Sequence, residues 1–287
     1  MNTNGNLYTV IYSTVLVILV AAILSFVAMS LQGKQNENIK LETISKVLSA
    51  AVQTDDSIVI DESTDVLRLY ADKITDAFFV DGYGKRVSDM NMGKENLNDI
   101  EVPTTSDLKR QNDLLKKIAD GQENLKGDLK LPVFVFNISG QEIRVIPCYG
   151  AGLWGPVWGY IAVAADGRTI EGAIFDHKGE TPGLGAKITE KPFYGSFKGK
   201  SFSDGDTKFS VRKGDQSADP NAVDAISGAT ITSQAVGRSI NLWATYYSPY
   251  LETVAAAARQ KAEEAAAAEE ACQQASEDSQ PTTNEEE

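Results

Sequence analysis

The chain has 287 residues, 42% of them apolar and 23% charged, with a formal net charge of -13. Such an acidic chain offers no basic face for phosphodiesters, so nucleic acid is excluded as a partner. Two cysteines far apart, Cys148 and Cys272, and one histidine, His177, cannot build an iron–sulfur cluster, a structural zinc site or paired haem ligation. No GxSxG elbow marks a hydrolase. Redox work by this chain therefore requires a cofactor.

Leu7 to Leu31 carries no charged side chain. At about 1.5 Å per helical residue that run crosses a hydrocarbon core of roughly 30 Å. The residues before it hold no lysine or arginine, and the run is too long for a cleaved signal, so a retained anchor over residues 1–33 is expected. Its orientation is weakly signalled, because long domains obey the charge rule poorly. Ile39, Ile44, Val47, Leu48 and Ala51 recur at helical spacing and predict a stalk. A strand at Ile58–Ile60, a helix at Thr64–Ala77 and a lysine-rich stretch of loops with a further short helix complete an α/β extension over 34–130.

Strand signals are densest from Leu131. Leu131–Phe136 and Glu142–Tyr149 flank a Ser139-Gly140 turn, and Val157–Ala165 with Thr169–Asp176 form a hairpin across Asp166-Gly167. A glycine-rich loop, a short helix at Leu184–Thr189, a strand at Thr207–Arg212 and a closing helix at Thr232–Tyr247 follow. These make a soluble domain over 131–250. Residues 251–287 are rich in alanine and glutamate. From Lys261 onward nine acidic side chains face one lysine, so a helix fraying into an acidic, partly disordered tail is expected. The fold class is α+β: one N-terminal transmembrane helix, then an antiparallel sheet with flanking helices.

The most informative segment is Asp224-Ala225-Ile226-Ser227-Gly228-Ala229-Thr230. Small residues let a bulky group approach the backbone, Thr232 and Ser233 are N-cap candidates, and a helix start favours a phosphate. On residue types alone, a tight loop capping a helix is the favoured reading. The string resembles the flavinylation motif of the FMN-binding domain family. That resemblance implies FMN esterified through its phosphate to Thr230, with Ser227, Gly228 and Ala229 beside it. A threonine hydroxyl is a weak nucleophile and no base is adjacent in sequence. The resemblance therefore implies a separate metal-dependent flavin transferase, with Asp224 as part of what it recognises. A simple turn carboxylate remains the other reading of Asp224.

Upstream, Glu180-Thr181-Pro182-Gly183-Leu184-Gly185-Ala186-Lys187 is similar to the loop lying along the flavin ring in that family. The resemblance places Glu180, Thr181, Gly183, Leu184, Gly185 and Lys187 in the binding set. Backbone amides at Gly183 and Gly185 would meet the pyrimidine edge, with Leu184 over one face. Gly150-Ala151-Gly152-Leu153-Trp154-Gly155 also fits the pattern and implies Trp154 on the opposite face. Taken alone, these are a glycine-rich turn and a tryptophan lidding a core. His177 is expected to hydrogen-bond its own loop and Cys148 to be a buried thiol, while Cys272 has no evident role.

An anchor first, a long intervening region and the flavin domain last resemble the C subunits of sodium-translocating NADH:quinone oxidoreductases. The specific motifs cover Gly150 to about Tyr247, and the acidic tail departs from the usual family end. The G subunits of Rnf complexes share the anchor and flavin motif and stand as the alternative. A membrane-anchored, non-redox binding or assembly protein is the alternative of another class. The resemblance implies electron transfer from NADH oxidation toward quinone, coupled to sodium export, among other subunits of the complex. It places the chain in the bacterial inner membrane with its domain on the periplasmic side. With no Rossmann fingerprint in the chain, NADH is expected to bind elsewhere in the complex.

Overall fold

A computed structural model describes residues 6–61, 63–204 and 207–277. Helix α1 (Asn6–Val52) is one unbroken 47-residue helix. Its uncharged N-terminal part is exposed, and it is long and apolar enough to cross a membrane. From Thr43 the same helix becomes a core element, with Ile44, Val47, Leu48 and Ala51 wholly buried. The apolar run and the stalk are thus a single rod.

Helix α2 (Val66–Lys73) is capped by Asp65, whose side chain accepts from the Arg68 amide. Then come β1 (Ile74–Val80), β2 (Arg86–Asp89), α3 (Thr105–Ala119), β3 (Leu131–Ile138), β4 (Gln141–Ala151), β5 (Pro156–Val163) and β6 (Ile170–His177). The six strands form one antiparallel sheet in the order β2-β1-β3-β4-β5-β6. Short elements follow: α4 (Lys191–Tyr194), β7 (Ser203–Asp204), β8 (Thr207–Lys208), β9 (Ser210–Arg212) and β10 (Ala222–Asp224), with β10 parallel to β9. Helix α5 (Thr230–Glu277) closes the described chain.

Both faces of the sheet are covered. This explains why Leu131 to Phe136 are buried without the alternation of a one-sided strand. The end of α1 and α2 pack over Phe134, Phe136, Val145, Tyr160 and Ala162. Helices α3 and α5 pack over Val133, Val135, Ile146, Cys148 and Ile161. Trp243 of α5 is the main bolt on that side, its indole N–H donating to the Tyr149 carbonyl at 3.0 Å and to Asn112 Oδ1 at 3.3 Å. The Tyr247 hydroxyl donates to the Pro132 carbonyl at 2.6 Å. These bonds fix where α5 begins relative to β4.

The stalk also grips edge strand β6. The Gln53 side chain donates to the Ala173 carbonyl at 2.8 Å and accepts from the Ala173 amide at 3.2 Å, standing in for a ladder partner. Lys46 bridges Glu42 of its own helix and Asp176 of β6, and lies 5.8 Å from the centre of the Trp158 ring.

The antiparallel sheet with flanking helices is as expected, and so are the turns at Ser139-Gly140 and Asp166-Gly167. Other expectations fail. Ile58–Ile60 is not a strand, and the helix expected to Ala77 stops at Lys73, where β1 begins. Ile74, Ala77 and Phe78 sit at helical spacing, yet they are buried by pairing with β3, some 60 residues away, which no local pattern reveals. Thr207–Arg212 is split between β8 and β9. The short helix before Lys130 is the 15-residue α3, started by a capping box of Thr104 and Asp107. Helix α5 begins at Thr230, two residues early, and continues to Glu277; residues 278–287 of the expected disordered tail lie outside the described residues.

Candidate functional site

Three segments meet at one end of the sheet: the β4–β5 connection, the loop after β6, and the start of α5. In the first, the Gly152 amide donates to the Gly155 carbonyl at 2.8 Å. This tight turn pushes Leu153 and Trp154 outward, 48% and 70% exposed. In the second, the Leu184 and Ala186 amides both donate to the Thr181 carbonyl at 3.1 Å. Gly183 takes a φ of +75° in open space, a conformation that side chains with a Cβ resist. Leu184 is 43% exposed, and Thr181 and Lys187 face solvent.

In the third segment, the Ala229 amide donates to the Ile226 carbonyl at 3.0 Å, and the Ile226 amide donates to Ser233 Oγ at 3.0 Å. Ser233 Oγ in turn donates to the Ala229 carbonyl at 2.9 Å. Gly228 has a φ of +77°, and a Cβ placed there would lie 3.0 Å from Leu184 Cδ2, so the second and third segments touch at that point. Ser227 and Gly228 are exposed, Ala229 is buried and Thr230 half-buried. The amides of Thr230, Ile231 and Thr232 open α5 and have no intrahelical acceptors. Thr232 and Ser233 are not N-caps. They lie inside the first turn, Ser233 looping back to Ile226 and Thr232 facing inward.

Glu180 ties the segments together. Its Oε1 accepts from the Leu153 amide at 2.8 Å and the Trp154 amide at 2.9 Å, and its Oε2 accepts from the Thr232 hydroxyl at 2.6 Å. Its own amide donates to His177 Nδ1 at 3.2 Å, the loop-holding role expected of that histidine. Burial pushes the Glu180 carboxyl up, but the Thr232 hydroxyl and the Trp154 and Leu153 amides outweigh it and hold it below the usual glutamate value. Asp224 ends β10 with Oδ1 accepting from the Gln216 amide at 3.1 Å, the turn-holding geometry of its simpler reading. Cys148 lies in the core as expected, and burial pushes its thiol up to about 12.

The model of the family described as FMN-binding domain matches residues 152–245, a span containing all three segments. The C subunit of the Na(+)-translocating NADH-quinone reductase of Neisseria meningitidis serogroup B is 30% identical over 208 residues, 67% of this chain and 75% of the relative. The chain belongs to this C-subunit family. The Yersinia pestis C subunit is 27% identical over 257 residues, 86% of this chain and 92% of its own length. A crystal structure of the Parabacteroides distasonis C subunit superposes with a TM-score of 0.58 and 32% identity, covering 77% of this chain and 96% of that one.

Within this member of the family the site motifs, more than 70 residues apart at their extremes in sequence, do converge. Trp154 and Leu184 are apolar groups left in solvent on two of the segments that meet, and Thr230 opens the helix on the third. Glu180 differs from the other members of the expected set, because both its carboxylate oxygens are taken by protein donors. The sequence reading missed Thr232 as its partner, and also Leu153 and Ile231, 48% and 55% exposed beside the motif residues. Large apolar residues adjacent to small-residue motifs were the available signal for the last two.

Proposed function

We propose that this chain is the FMN-bearing, electron-transferring C subunit of a sodium-translocating NADH:quinone oxidoreductase, with FMN ester-linked to Thr230. One observation carries the reading: a half-buried threonine opens a long helix where exposed Trp154, Leu153, Leu184 and Ile231 leave apolar surface uncovered. The fit can be tested part by part. A phosphate needs donors and positive potential, which the first-turn amides of α5 supply. A flat aromatic ring needs apolar faces, which Trp154 and Leu184 supply. Its polar edge needs backbone donors, which the open loop at Gly183 and Gly185 can offer. Ser227, Gly228 and Ala229 leave room beside Thr230, and Thr181 and Lys187 border the loop from the solvent side.

When bound, FMN supplies electron-transfer chemistry that the side chains lack. The chain's own task is to hold, shield and tune it. Trp154 and Leu184 would exclude water from the ring faces, and the backbone donors of the Gly183–Gly185 loop would favour negative charge at its polar edge. Esterification needs outside help. The Glu180 carboxylate is occupied by three donors and His177 Nδ1 by the Glu180 amide, so neither is free to activate the Thr230 hydroxyl. A flavin transferase that recognises Asp224 fills that role. In this reading residues 1–33 anchor the chain in the bacterial inner membrane and 34–130 form the stalk and extension. Residues 131–250 hold FMN on the periplasmic side, and 251–287 form an acidic, alanine-rich tail into which α5 continues as far as Glu277. Partner subunits bind NADH and quinone, and electrons pass through this subunit toward quinone, coupled to sodium export.

The test is full-length protein co-expressed with a flavin transferase. Wild type should give a fluorescent band on a denaturing gel, and Thr230→Val, which keeps the shape without the hydroxyl, should give none. Covalent flavin surviving in Thr230→Val would refute the attachment. Wild type without flavin would return the chain to a non-redox role.

A further inference from the structure

Glu180 sits where stability alone would not put a carboxylate. It is 4% exposed and has no cationic partner among the described residues. Burying a charge without a counter-ion is expensive unless hydrogen bonds replace its water. The chain provides three donors, and it also clears space. A Cβ at Gly152 would lie 2.5 Å from Oε1, and one at Gly185 2.5 Å from Oε2. Both glycines of the loops are therefore needed for the carboxylate to enter at all.

The three donors come from the first and third segments, and Glu180 itself belongs to the second, the loop after β6. Leu153 and Trp154 offer consecutive amides, so both must point the same way, and the peptide between them is fixed in orientation. Thr232 lies two residues after Thr230. At about 100° per residue, their side chains diverge by roughly 200° around the helix. With Thr232 turned inward to Glu180 and 1% exposed, Thr230 is turned outward. One side chain thus fixes the base of the exposed indole, the loop bearing Leu184 and the rotational phase of the helix start that presents Thr230.

We infer that Glu180 is a positioning residue: its buried carboxylate locks Trp154, Leu184 and Thr230 in fixed relation and does not itself touch the flavin. It also engages the Thr232 hydroxyl, leaving Thr230 as the presented member of the Thr230-Ile231-Thr232 pair. The inference rests on the proposed attachment at Thr230 for its functional half, and on the hydrogen bonds alone for its structural half.

The experiment uses full-length chain in detergent with Glu180→Ala, Glu180→Gln and Thr232→Val. Without transferase, hydrogen exchange at the Leu153 and Trp154 amides should quicken at least about tenfold in Glu180→Ala while β4 and β5 stay protected. With transferase, Glu180→Ala should lose covalent flavin severalfold at fixed transferase, and the remaining flavin should show lower fluorescence anisotropy and a shifted midpoint potential. Glu180→Gln, which keeps the shape and one acceptor oxygen, should fall between, and Thr232→Val should loosen Thr230 while leaving the Leu153 and Trp154 amides protected. Wild-type exchange in Glu180→Ala would overturn the clamp. Faster exchange with wild-type flavin yield, anisotropy and potential would overturn the positioning role. Thr230→Val run alongside reports on attachment separately, so a failure there is not confused with a failure of Glu180. If Glu180→Ala does not fold, the same comparisons are decided by Glu180→Gln and Thr232→Val.

Discussion

Gly228 offers a sharp test of the site's backbone, because its substitution by alanine should go against the usual trend. Gly→Ala at a compatible position stabilises by about 0.4–1 kcal/mol, since the unfolded chain loses freedom. At a φ of +77° the opposite holds. A Cβ in the left-handed region costs roughly 1–2 kcal/mol. The new methyl would also lie 3.0 Å from Leu184 Cδ2, the movable end of a half-exposed side chain, so that contact adds only a few tenths of an ångström of displacement. Gly183, at +75° with nothing within 4 Å, isolates the backbone cost. Gly127, also in open space but outside the left-handed region, is the control for the unfolded-state gain. For a soluble region of this size each kcal/mol moves the midpoint by roughly 2–4 °C. Gly228→Ala and Gly183→Ala should therefore melt about 2–8 °C below Gly127→Ala, which should itself hold or raise the wild-type Tm. The assay is thermal unfolding of the flavin-free chain followed by circular dichroism. A Gly228→Ala variant as stable as Gly127→Ala would refute the left-handed turn before Thr230.

Trp154→Ala should leave thermal stability within about 0.5 kcal/mol of wild type, because the indole is 70% exposed. In flavinylated protein it should keep flavin stoichiometry but raise flavin fluorescence and shift the reduction potential; unchanged values would remove Trp154 from the ring contacts. In a Cys272→Ser background, Cys148 should resist iodoacetamide at about pH 8 until the protein is denatured, since burial holds its thiol protonated. Rapid native labelling would contradict the core placement of β4.

How much of this was legible in the sequence varied with the range of the interaction. Local signals held: the uncharged run of α1, the Asp166-Gly167 turn between β5 and β6, and the strand at Leu131 all appear where expected. The strand β1 was hidden because Ile74, Ala77 and Phe78 imitate helical spacing, and only its distant partner β3 makes it a strand. The site motifs were visible as separate strings, yet their contact was not. Glu180 and Thr232 are 52 residues apart and join only because Trp243 and Tyr247 seat α5 on β4 and β3. A threonine in the first turn of a helix looks like a cap when its true acceptor lies in another segment.

The same long-range logic connects the apolar run of α1 to the site. Helix α1 is continuous from its apolar run to Val52, and Lys46 of its last turns and Gln53 just after it hold β6 at Asp176 and Ala173. Gly172, next to Ala173, permits the approach, for a Cβ there would lie 2.4 Å from the Ala50 carbonyl. Strand β6 ends at His177, whose ring receives the Glu180 amide, and Glu180 in turn holds Trp154 and Thr232. Through these contacts the rod meets the strand that leads straight into the loop. From Thr9 to Ile39 the turns of α1 are exposed among the described residues, and at Gly33 a Cβ would meet nothing within 4 Å, so bending of the rod costs least in this stretch. The β6 junction is tied to the site through the hydrogen bonds of His177 and Glu180. Bending the rod would carry Thr230 and the residues around it together, changing the distance to a neighbouring subunit while leaving the geometry inside the site unchanged.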